Sequence, residues 1–147
     1  MKILMVCLGN ICRSPLAQGI MELHAPADWR IDSAGTSGWH EDERPDTRSI
    51  LIAKERGIAI DHQRSRQVNE EDFETFDIIF AMDSSNYTNL IRLAPNEAAK
   101  AKVRLILNEA YPGENRQVPD PYTGGQSGFR HVYELLEEAV QSFIRKY

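Results

Sequence analysis

The chain contains 147 residues, of which 17 are basic and 22 acidic, so its formal net charge is −5. A chain of this length can form one core that buries roughly 70% of the surface of the unfolded chain, without disulfides or structural metals. The acidic balance excludes the broad basic surface of a nucleic-acid-binding protein. Two cysteines are too few for a secreted disulfide framework. We therefore expect one domain spanning residues 1–147 in a reducing, cytoplasmic compartment.

The first predicted element is a buried strand that leads through a short loop into a helix. Residues 3–8 form the longest uninterrupted apolar run, which is too short to span a membrane, so we expect no membrane insertion. The run lacks alternation, which is typical of a strand buried on both faces of a parallel sheet. Gly9 and Asn10 end it. Ser14 and Pro15 then indicate a helix start, with Ser14 as N-cap and Pro15 at the first helical position.

The rest of the chain continues to alternate strands and helices. We predict strands over residues 30–34, 77–82 and 103–107, helices over 46–56 (closed by Gly57), from 69–72 and over 84–90, and a last helix capped by Ser127. This order predicts a three-layer α/β fold, with a parallel sheet of about four strands and helices on both faces. Ligands of such sheets bind beyond the carboxyl ends of the strands, where the loops after the first and third strands lie.

The loop after the first strand has the composition of an anion site. Residues 7–14, which we call the phosphate loop, read Cys-Leu-Gly-Asn-Ile-Cys-Arg-Ser. Backbone N–H groups of such a turn can converge on a phosphate, and the helix dipole adds positive potential. Gly9 and Asn10 tolerate the left-handed backbone that this needs, and the Arg13 guanidinium can hold two phosphate oxygens. The same field favours the thiolate of Cys7, a nucleophile, although a small buried cysteine at a strand end is the alternative.

Two motifs together resemble the low molecular weight protein tyrosine phosphatase family, in its bacterial form. The first is the phosphate loop followed by Pro15, and the second is Asp120-Pro121-Tyr122. The Cys-x5-Arg spacing alone is a weak pattern, but the full loop with Asp-Pro-Tyr at this separation is specific. The resemblance spans nearly the whole chain, because further segments are also similar to the family: Asp32-Ser33-Ala34, Arg66-Gln67-Val68 and Met82-Asp83.

The resemblance implies a protein-tyrosine phosphatase that acts in two steps without a metal or cofactor. Cys7 would attack phosphorus, and Asp120 would protonate the departing phenolate oxygen. Water would then hydrolyse the phosphocysteine with Asp120 as base, releasing inorganic phosphate. An ordinary turn aspartate before proline is the alternative for Asp120. The phosphoryl oxygens would be held by Arg13 and the loop formed by Leu8, Gly9, Asn10, Ile11, Cys12, Arg13 and Ser14.

The family also implies walls for the substrate ring. Tyr122 would form one aromatic wall, and Trp39 or Leu8 would face it. Both aromatic residues could instead be partly buried packing residues. Thr123 stands where many vertebrate members carry a second tyrosine, which bears on substrate preference and leaves the chemistry unchanged.

Further residues would support the phosphate loop. In the family, the Ser14 hydroxyl bonds to the Cys7 sulfur and eases its departure as thiolate. Ser33 and His62 would brace Asn10, although a solvent-facing loop histidine is at least as good a reading of His62.

The second cysteine of the loop is a candidate redox partner. The family commonly uses the residue at the place of Cys12 to form a reversible disulfide with the nucleophile, which protects a reactive thiolate from over-oxidation. A small core residue is the alternative for Cys12.

Asp83 follows the third predicted strand, and a helix cap is its favoured role.

Other protein classes fit the residues less well. Thioredoxin-coupled arsenate reductases share the fold but need a further cysteine pair, and no cysteine follows Cys12. Phosphocysteine carriers of sugar transport lack the arginine and have no use for Asp120. A non-catalytic phosphotyrosine-binding module would need neither nucleophile nor acid.

The expected partner is a phosphotyrosine-containing protein, which for bacterial members is often a tyrosine kinase governing exopolysaccharide export. The acidic segment 41–46 would favour basic surroundings in that partner or is simply solvated.

Overall fold

Four parallel strands form a single sheet in the computed structural model, which describes residues 1–122 and 125–147. The sheet order is β2-β1-β3-β4, and each neighbouring pair is parallel. The central position of β1 explains its unbroken apolar sequence, because both of its faces are covered. The strands are β1 (Lys2–Cys7), β2 (Arg30–Gly35), β3 (Ile78–Ala81) and β4 (Val103–Leu105).

Helices cover both faces of the sheet, which confirms the predicted three-layer α/β fold. The larger core packs alternate residues of β1, such as Met5, against α1 and α6, while the smaller core packs Leu4 and Val6 against α3 and α4. None of the helices in the described part of the chain is long and apolar enough to cross a membrane. The helices are α1 (Arg13–His24), α2 (Thr47–Glu55), α3 (Asp72–Thr75), α4 (Ser84–Leu93), α5 (Glu97–Lys100) and α6 (Gln126–Ile144), with a 3₁₀ turn over Ile106–Glu109.

Two predicted helix caps are wrong. Helix α1 begins at Arg13 with Cys12 at the N-cap, so Ser14 already lies in the first turn and its hydroxyl is engaged elsewhere. Pro15 is tolerated there because the first-turn N–H groups have no partner within a helix. Helix α6 begins at Gln126 with Gly125 at the N-cap, upstream of the predicted cap Ser127.

Other element boundaries differ modestly from the prediction. The fourth strand ends at Leu105 because the chain turns into the 3₁₀ helix, and the short helix α5, capped by Asn96, was not predicted. The helix predicted from residue 69 begins at Asp72. Gly57 follows α2 with φ of 80°, the left-handed conformation expected of a residue that ends a helix.

The carboxyl end of β2 lies directly beneath the phosphate loop. The Thr36 amide donates to the Cys7 carbonyl at 2.9 Å and the Ser37 amide to the Leu8 carbonyl at 3.0 Å. A Cβ atom on Gly35 would stand 2.7 Å from the Leu8 carbonyl oxygen, so only glycine permits this approach. The sheet therefore fixes the first residues of the loop through backbone contacts.

Candidate active site

A cavity of about 340 Å³ opens at the carboxyl edge of the sheet, between the phosphate loop and the segment 118–122, which we call the acid loop. Its position agrees with the expected ligand site of a parallel sheet. The amides of residues 8–12 donate to no other residue in the described ranges, so the loop retains the donors that an anion requires. The cavity is lined by Cys7, Leu8, Gly9, Ile11, Cys12, Arg13, Trp39, His40, Asp120 and Tyr122.

Cys7 ends β1 at the base of this cavity and is only 2% exposed. Its Sγ atom lies 3.0 Å from the Ser14 Oγ atom. The Asn10 side-chain amide donates to the same Oγ at 2.8 Å, so the Ser14 proton is left to point at sulfur. The Ser14 hydroxyl can therefore donate a hydrogen bond to the Cys7 sulfur.

Asn10 organises the loop from its left-handed position, with φ of 57°. The Arg66 amide donates to its Oδ1 at 3.1 Å, which fixes the orientation of the side-chain amide. Its Nδ2 therefore donates to Ser14 and, at 3.0 Å, to the Ser33 Oγ. The predicted left-handed backbone occurs at Asn10 and not at Gly9.

The polar contacts around Asn10 continue inward and do not include His62. Ser33 donates to the Gln18 Oε1 at 2.7 Å, so its hydroxyl links Asn10 to helix α1. His62 is exposed, and the prediction that it braces Asn10 is wrong. Its neighbour Gln63 is buried, and the Gln63 side-chain amide donates to the Pro15 carbonyl at 3.1 Å. The third brace of Asn10 is instead the Arg66 backbone.

Arg13 is 3% exposed and is held by residues outside the phosphate loop. Its Nη1 donates to the Asp83 Oδ2 at 2.7 Å and to the Val118 carbonyl at 3.0 Å. Burial alone would lower the Arg13 pKa, but the negative charges of Cys7 and Asp83 outweigh it and raise the pKa above its ordinary value. The guanidinium is therefore a permanent cation at the cavity wall, with the geometry to hold phosphoryl oxygens.

The acid loop lies across the cavity mouth and is more exposed than the phosphate loop. Val118 is buried and donates its amide to the Met82 carbonyl at 2.9 Å, which ties the loop to the end of β3. Asp120 is exposed and accepts the Tyr122 amide at 3.0 Å. Tyr122 is 50% exposed and Trp39 76%, so neither is the buried packing residue of the alternative reading. The residue at position 123, of interest for substrate preference, lies outside the described residues.

Cys12 is a second free cysteine that lines the same cavity as Cys7. Burial, followed by the negative charges of Asp46, Cys7 and Asp120, raises its pKa to about 12. Cys12 is therefore a neutral thiol at physiological pH in this site.

Two residues of the site were missed by sequence reasoning. Asp83 caps α4 as predicted, accepting the Asn86 amide at 2.8 Å, but its other oxygen anchors Arg13. Its place just after β3, at the binding edge of the sheet, was the signal. His40 lines the cavity with its ring against Gly9 and its Nδ1 2.9 Å from Glu43. In the described ranges, no group of three or more acidic, histidine or cysteine side chains is arranged to hold a metal ion.

Comparison with known proteins agrees with this geometry. The family described as low molecular weight phosphotyrosine protein phosphatase matches residues 2–146. The family member of Schizosaccharomyces pombe is 43% identical over 98% of this chain and 95% of its own length, and that of Streptomyces coelicolor is 39% identical over 97% and 91%. A crystal structure of a protein tyrosine phosphatase from Entamoeba histolytica, with Hepes in its active site, has a TM-score of 0.92 and 42% identity over 99% of this chain and 96% of that one. The chain therefore belongs to the low molecular weight phosphotyrosine protein phosphatase family and is a protein-tyrosine phosphatase.

Proposed function

We propose that this phosphatase hydrolyses phosphotyrosine in proteins with Cys7 as nucleophile, Arg13 as phosphate ligand and Asp120 as general acid and base. The observation that supports the assignment is the convergence of these three side chains on one cavity. Each has the chemistry that a two-step displacement needs at the place where it is needed.

In the first step, the Cys7 thiolate attacks phosphorus from the base of the cavity. A sulfur–phosphorus bond forms while the bond from phosphorus to the phenolic oxygen breaks. Asp120, at the mouth, gives its proton to the departing oxygen, so the leaving group is neutral tyrosine. Arg13 and the amides of residues 8–12 hold the equatorial oxygens, whose charge they stabilise best in the transition state.

In the second step, water attacks phosphorus and the sulfur–phosphorus bond breaks. Asp120, now a carboxylate, takes the proton of the water, and inorganic phosphate leaves. Cys7 departs as a thiolate, which the Ser14 hydroxyl at 3.0 Å stabilises. The same Asp120 thus returns to its protonated form and is ready for another cycle.

The walls of the cavity support a preference for phosphate carried on an aromatic ring. Tyr122, Trp39 and Leu8 stand exposed around the mouth, while Cys7 is nearly inaccessible at the base. A phosphotyrosine ring spans this depth and packs on the walls, whereas the short side chain of phosphoserine leaves its phosphate too far from sulfur.

Hydrolysis of a phosphotyrosine peptide by wild type, Cys7→Ser and Asp120→Ala tests the assignment. We expect no measurable turnover by Cys7→Ser and a loss of about 10²-fold or more in Asp120→Ala, in line with general acid catalysis. Acid quenching of wild type with labelled peptide should yield a phosphoenzyme that Cys7→Ser does not form. Full activity of Cys7→Ser, or equal rates on the matching phosphoserine peptide, would contradict the proposal.

The alternative classes give different results in the same assays. An arsenate reductase would consume thioredoxin and arsenate without releasing phosphate from the peptide. A phosphocysteine carrier would accumulate phosphoenzyme without turnover. A binding module would retain the phosphotyrosine peptide unhydrolysed.

We further propose that Cys12 protects the nucleophile against oxidation. Peroxide would oxidise the Cys7 thiolate to a sulfenic acid, and Cys12 would displace water from it, forming a disulfide that added thiols reduce. Peroxide-treated wild type should recover activity with dithiothreitol, while Cys12→Ser should recover less. Equal recovery of the two proteins would contradict this role.

The physiological setting follows from the same chemistry. A reactive thiolate has to stay reduced, which supports a reducing, cytoplasmic compartment. We propose a phosphorylated tyrosine kinase as partner, in keeping with bacterial members of the family. Trapping of phosphoproteins on Asp120→Ala, followed by identification of the retained proteins, tests this choice; the absence of any kinase among them would contradict it.

A further inference from the structure

The orientation of Asp120 depends on the backbone of Tyr122. Asp120 is exposed, and its Oδ1 accepts the Tyr122 amide at 3.0 Å. A displacement of Tyr122 would therefore carry the Asp120 carboxyl away from the leaving group. An error of about 1 Å in such a group can reduce a rate by about 10²-fold, so the acid loop needs a support that fixes Tyr122.

Arg48, on helix α2, provides a contact of this kind. Its guanidinium carbon lies 5.6 Å from the centre of the Tyr122 ring and 4.6 Å from that of Phe129. Phe129 is fully buried in the first turns of α6, so one of the two rings is immobile. A cation over aromatic faces is attracted by their electrons, and the planar guanidinium can pack against both rings.

The same guanidinium of Arg48 is connected to the phosphate loop through Asp46. Arg48 donates from Nε and from Nη2 to the two carboxylate oxygens of Asp46, each at 3.0 Å. The Asp46 amide donates to the Ile11 carbonyl at 2.7 Å, and the Ser49 hydroxyl to the Cys12 carbonyl at 3.2 Å. Burial opposes a charge on Asp46, but the hydrogen bonds from Arg48 outweigh it and hold the Asp46 pKa below its ordinary value. The pair is thus ionised and bidentate.

We propose that Arg48 is a positioning residue for general acid catalysis, which transmits the position of the phosphate loop through Tyr122 to Asp120. The chain of contacts runs from Ile11 to Asp46, to Arg48, to Tyr122 and to the acid. This inference rests on the proposed role of Asp120. It assigns to Arg48 the relative placement of nucleophile and acid, a geometry that neither loop fixes alone.

The test compares substrates that need the acid to different degrees. Phenyl phosphate has a basic leaving group and requires protonation, whereas 4-nitrophenyl phosphate releases a stable anion with little help. In Arg48→Met we expect kcat/KM to fall about 10-fold for phenyl phosphate and at most about 3-fold for 4-nitrophenyl phosphate. The loss on phenyl phosphate is smaller than the 10²–10⁴-fold that a general acid contributes, because Asp120 is displaced and not removed. Equal losses on the two substrates would overturn the proposal.

Arg56→Met is the matched control. Arg56 also packs between α2 and α6, with its guanidinium carbon 4.9 Å from the Tyr133 ring and 3.6 Å between its Nη2 and Glu134, but it lies away from the cavity. The Arg56→Met substitution should leave kcat/KM unchanged for both substrates. A selective loss of kcat/KM on phenyl phosphate in Arg56→Met would also overturn the proposal. Any arginine that stacks between α2 and α6 would then have the effect assigned to Arg48.

A double substitution separates this inference from the role of Asp120. In an Asp120→Asn background, Arg48→Met should add less than about 2-fold, because the residue acts through a group already removed. A further 10-fold loss would overturn the inference while leaving the acid intact. If Asp120→Asn alone affects both substrates equally, the acid assignment itself fails.

Arg48→Lys keeps the charge near Asp46 without the planar stack. It should lose about 3-fold on phenyl phosphate with the same bias between substrates, and it carries the test if Arg48→Met does not fold. An Arg48→Lys protein with unchanged rates on both substrates would show that charge alone is sufficient and would overturn the stacked geometry.

Discussion

The phosphate loop and the acid loop meet at one cavity but are held in opposite ways. In the phosphate loop, Asn10, Arg13 and Ser14 are at most 3% exposed. Asn10 is held by Ser33 and the Arg66 amide, Arg13 is held by Asp83, and Ser14 contacts Asn10 and Cys7 within the loop. In the acid loop, Asp120 and Tyr122 are exposed at the mouth. The difference matches the two proposed roles, because charge stabilisation gains from groups fixed before the reaction, while the side that carries the proposed acid Asp120 would have to admit a protein-borne ring.

This comparison predicts that the largest losses come from Arg13. Arg13→Lys keeps the charge but loses the planar fork and the exact contact with Asp83, so kcat/KM for a phosphotyrosine peptide should fall about 10²–10³-fold, as for removal of one transition-state donor. Arg64→Lys is the control, because Arg64 donates to the backbone carbonyls of Asp61 and Gln63 and does not line the cavity. A loss below about 10-fold in Arg13→Lys would mean that the loop amides alone hold the phosphoryl group.

The next largest effect should come from Asn10, and on stability as well as rate. Asn10→Ala removes the hydrogen bonds of the Asn10 side chain to the buried hydroxyls of Ser14 and Ser33 and to the partly buried Arg66 amide, and it places alanine in a left-handed conformation. Urea unfolding should show a loss of about 2–4 kcal/mol, of which about 1–2 kcal/mol is backbone strain.

Asn10→Gly is the matched control for that prediction. Glycine accepts the left-handed backbone but lacks the amide, so it should be more stable than Asn10→Ala by about 1 kcal/mol while remaining equally impaired in kcat. If the two variants were equally stable, the positive φ of Asn10 would carry no strain for alanine, and the loop would be less constrained than the contacts indicate.

The local parts of the site were accessible from sequence, and the tertiary parts were not. The phosphate loop was predictable because its glycine, asparagine and arginine act within one turn between a strand and a helix. The pairing of Arg13 with Asp83 joins residues 70 positions apart, and no local pattern encodes it.

Errors of one or two residues had a similar origin. The brace of Asn10 falls on the Arg66 backbone, a donor that side-chain motifs do not reveal, and burial selects Gln63 over His62. The cap of α1 shifted because the Ser14 hydroxyl is used by Cys7 and Asn10. The partners of Arg66 and Gln63 lie far away in sequence, at Asn10 and Pro15, and their positions depend on the whole fold.

The buried state of the phosphate loop also predicts a pH dependence of stability through Cys12. Its pKa is raised to about 12 in the fold, above the ordinary value of 9.0, so the folded protein keeps a proton that the unfolded chain releases. The contribution of Cys12 to the free energy of unfolding is therefore fully present below about pH 9. It is lost as pH rises toward 12, by at most about 1.4 kcal/mol per pH unit.

Urea unfolding of wild type and Cys12→Ala at pH 8 and pH 10 isolates this effect. The unfolding free energy of wild type should fall by about 1 kcal/mol more than that of the variant, in which other alkaline groups titrate unchanged. The same decrease in both proteins would show that Cys12 is more accessible to solvent than its burial indicates.

The smallest effect on stability should come from the exposed wall, Tyr122. Because half of its surface is exposed, Tyr122→Leu should leave the unfolding free energy within about 0.5 kcal/mol of wild type, as is usual for surface substitutions. The lost ring contact with substrate, of about 0.5–1.5 kcal/mol, should raise KM for a phosphotyrosine peptide about 2- to 10-fold, and the lost contact with Arg48 should lower kcat as in Arg48→Met. Tyr122→Phe keeps the ring, and with it the faces presented to the substrate and to Arg48, so its KM should equal that of wild type. A rise in KM as large in Tyr122→Phe as in Tyr122→Leu would assign the effect to the hydroxyl and contradict a stacking wall.

A loss of stability in Tyr122→Leu as large as that of Asn10→Ala would remove the contrast between the two loops, because the acid loop would then be as much a part of the folded core as the phosphate loop.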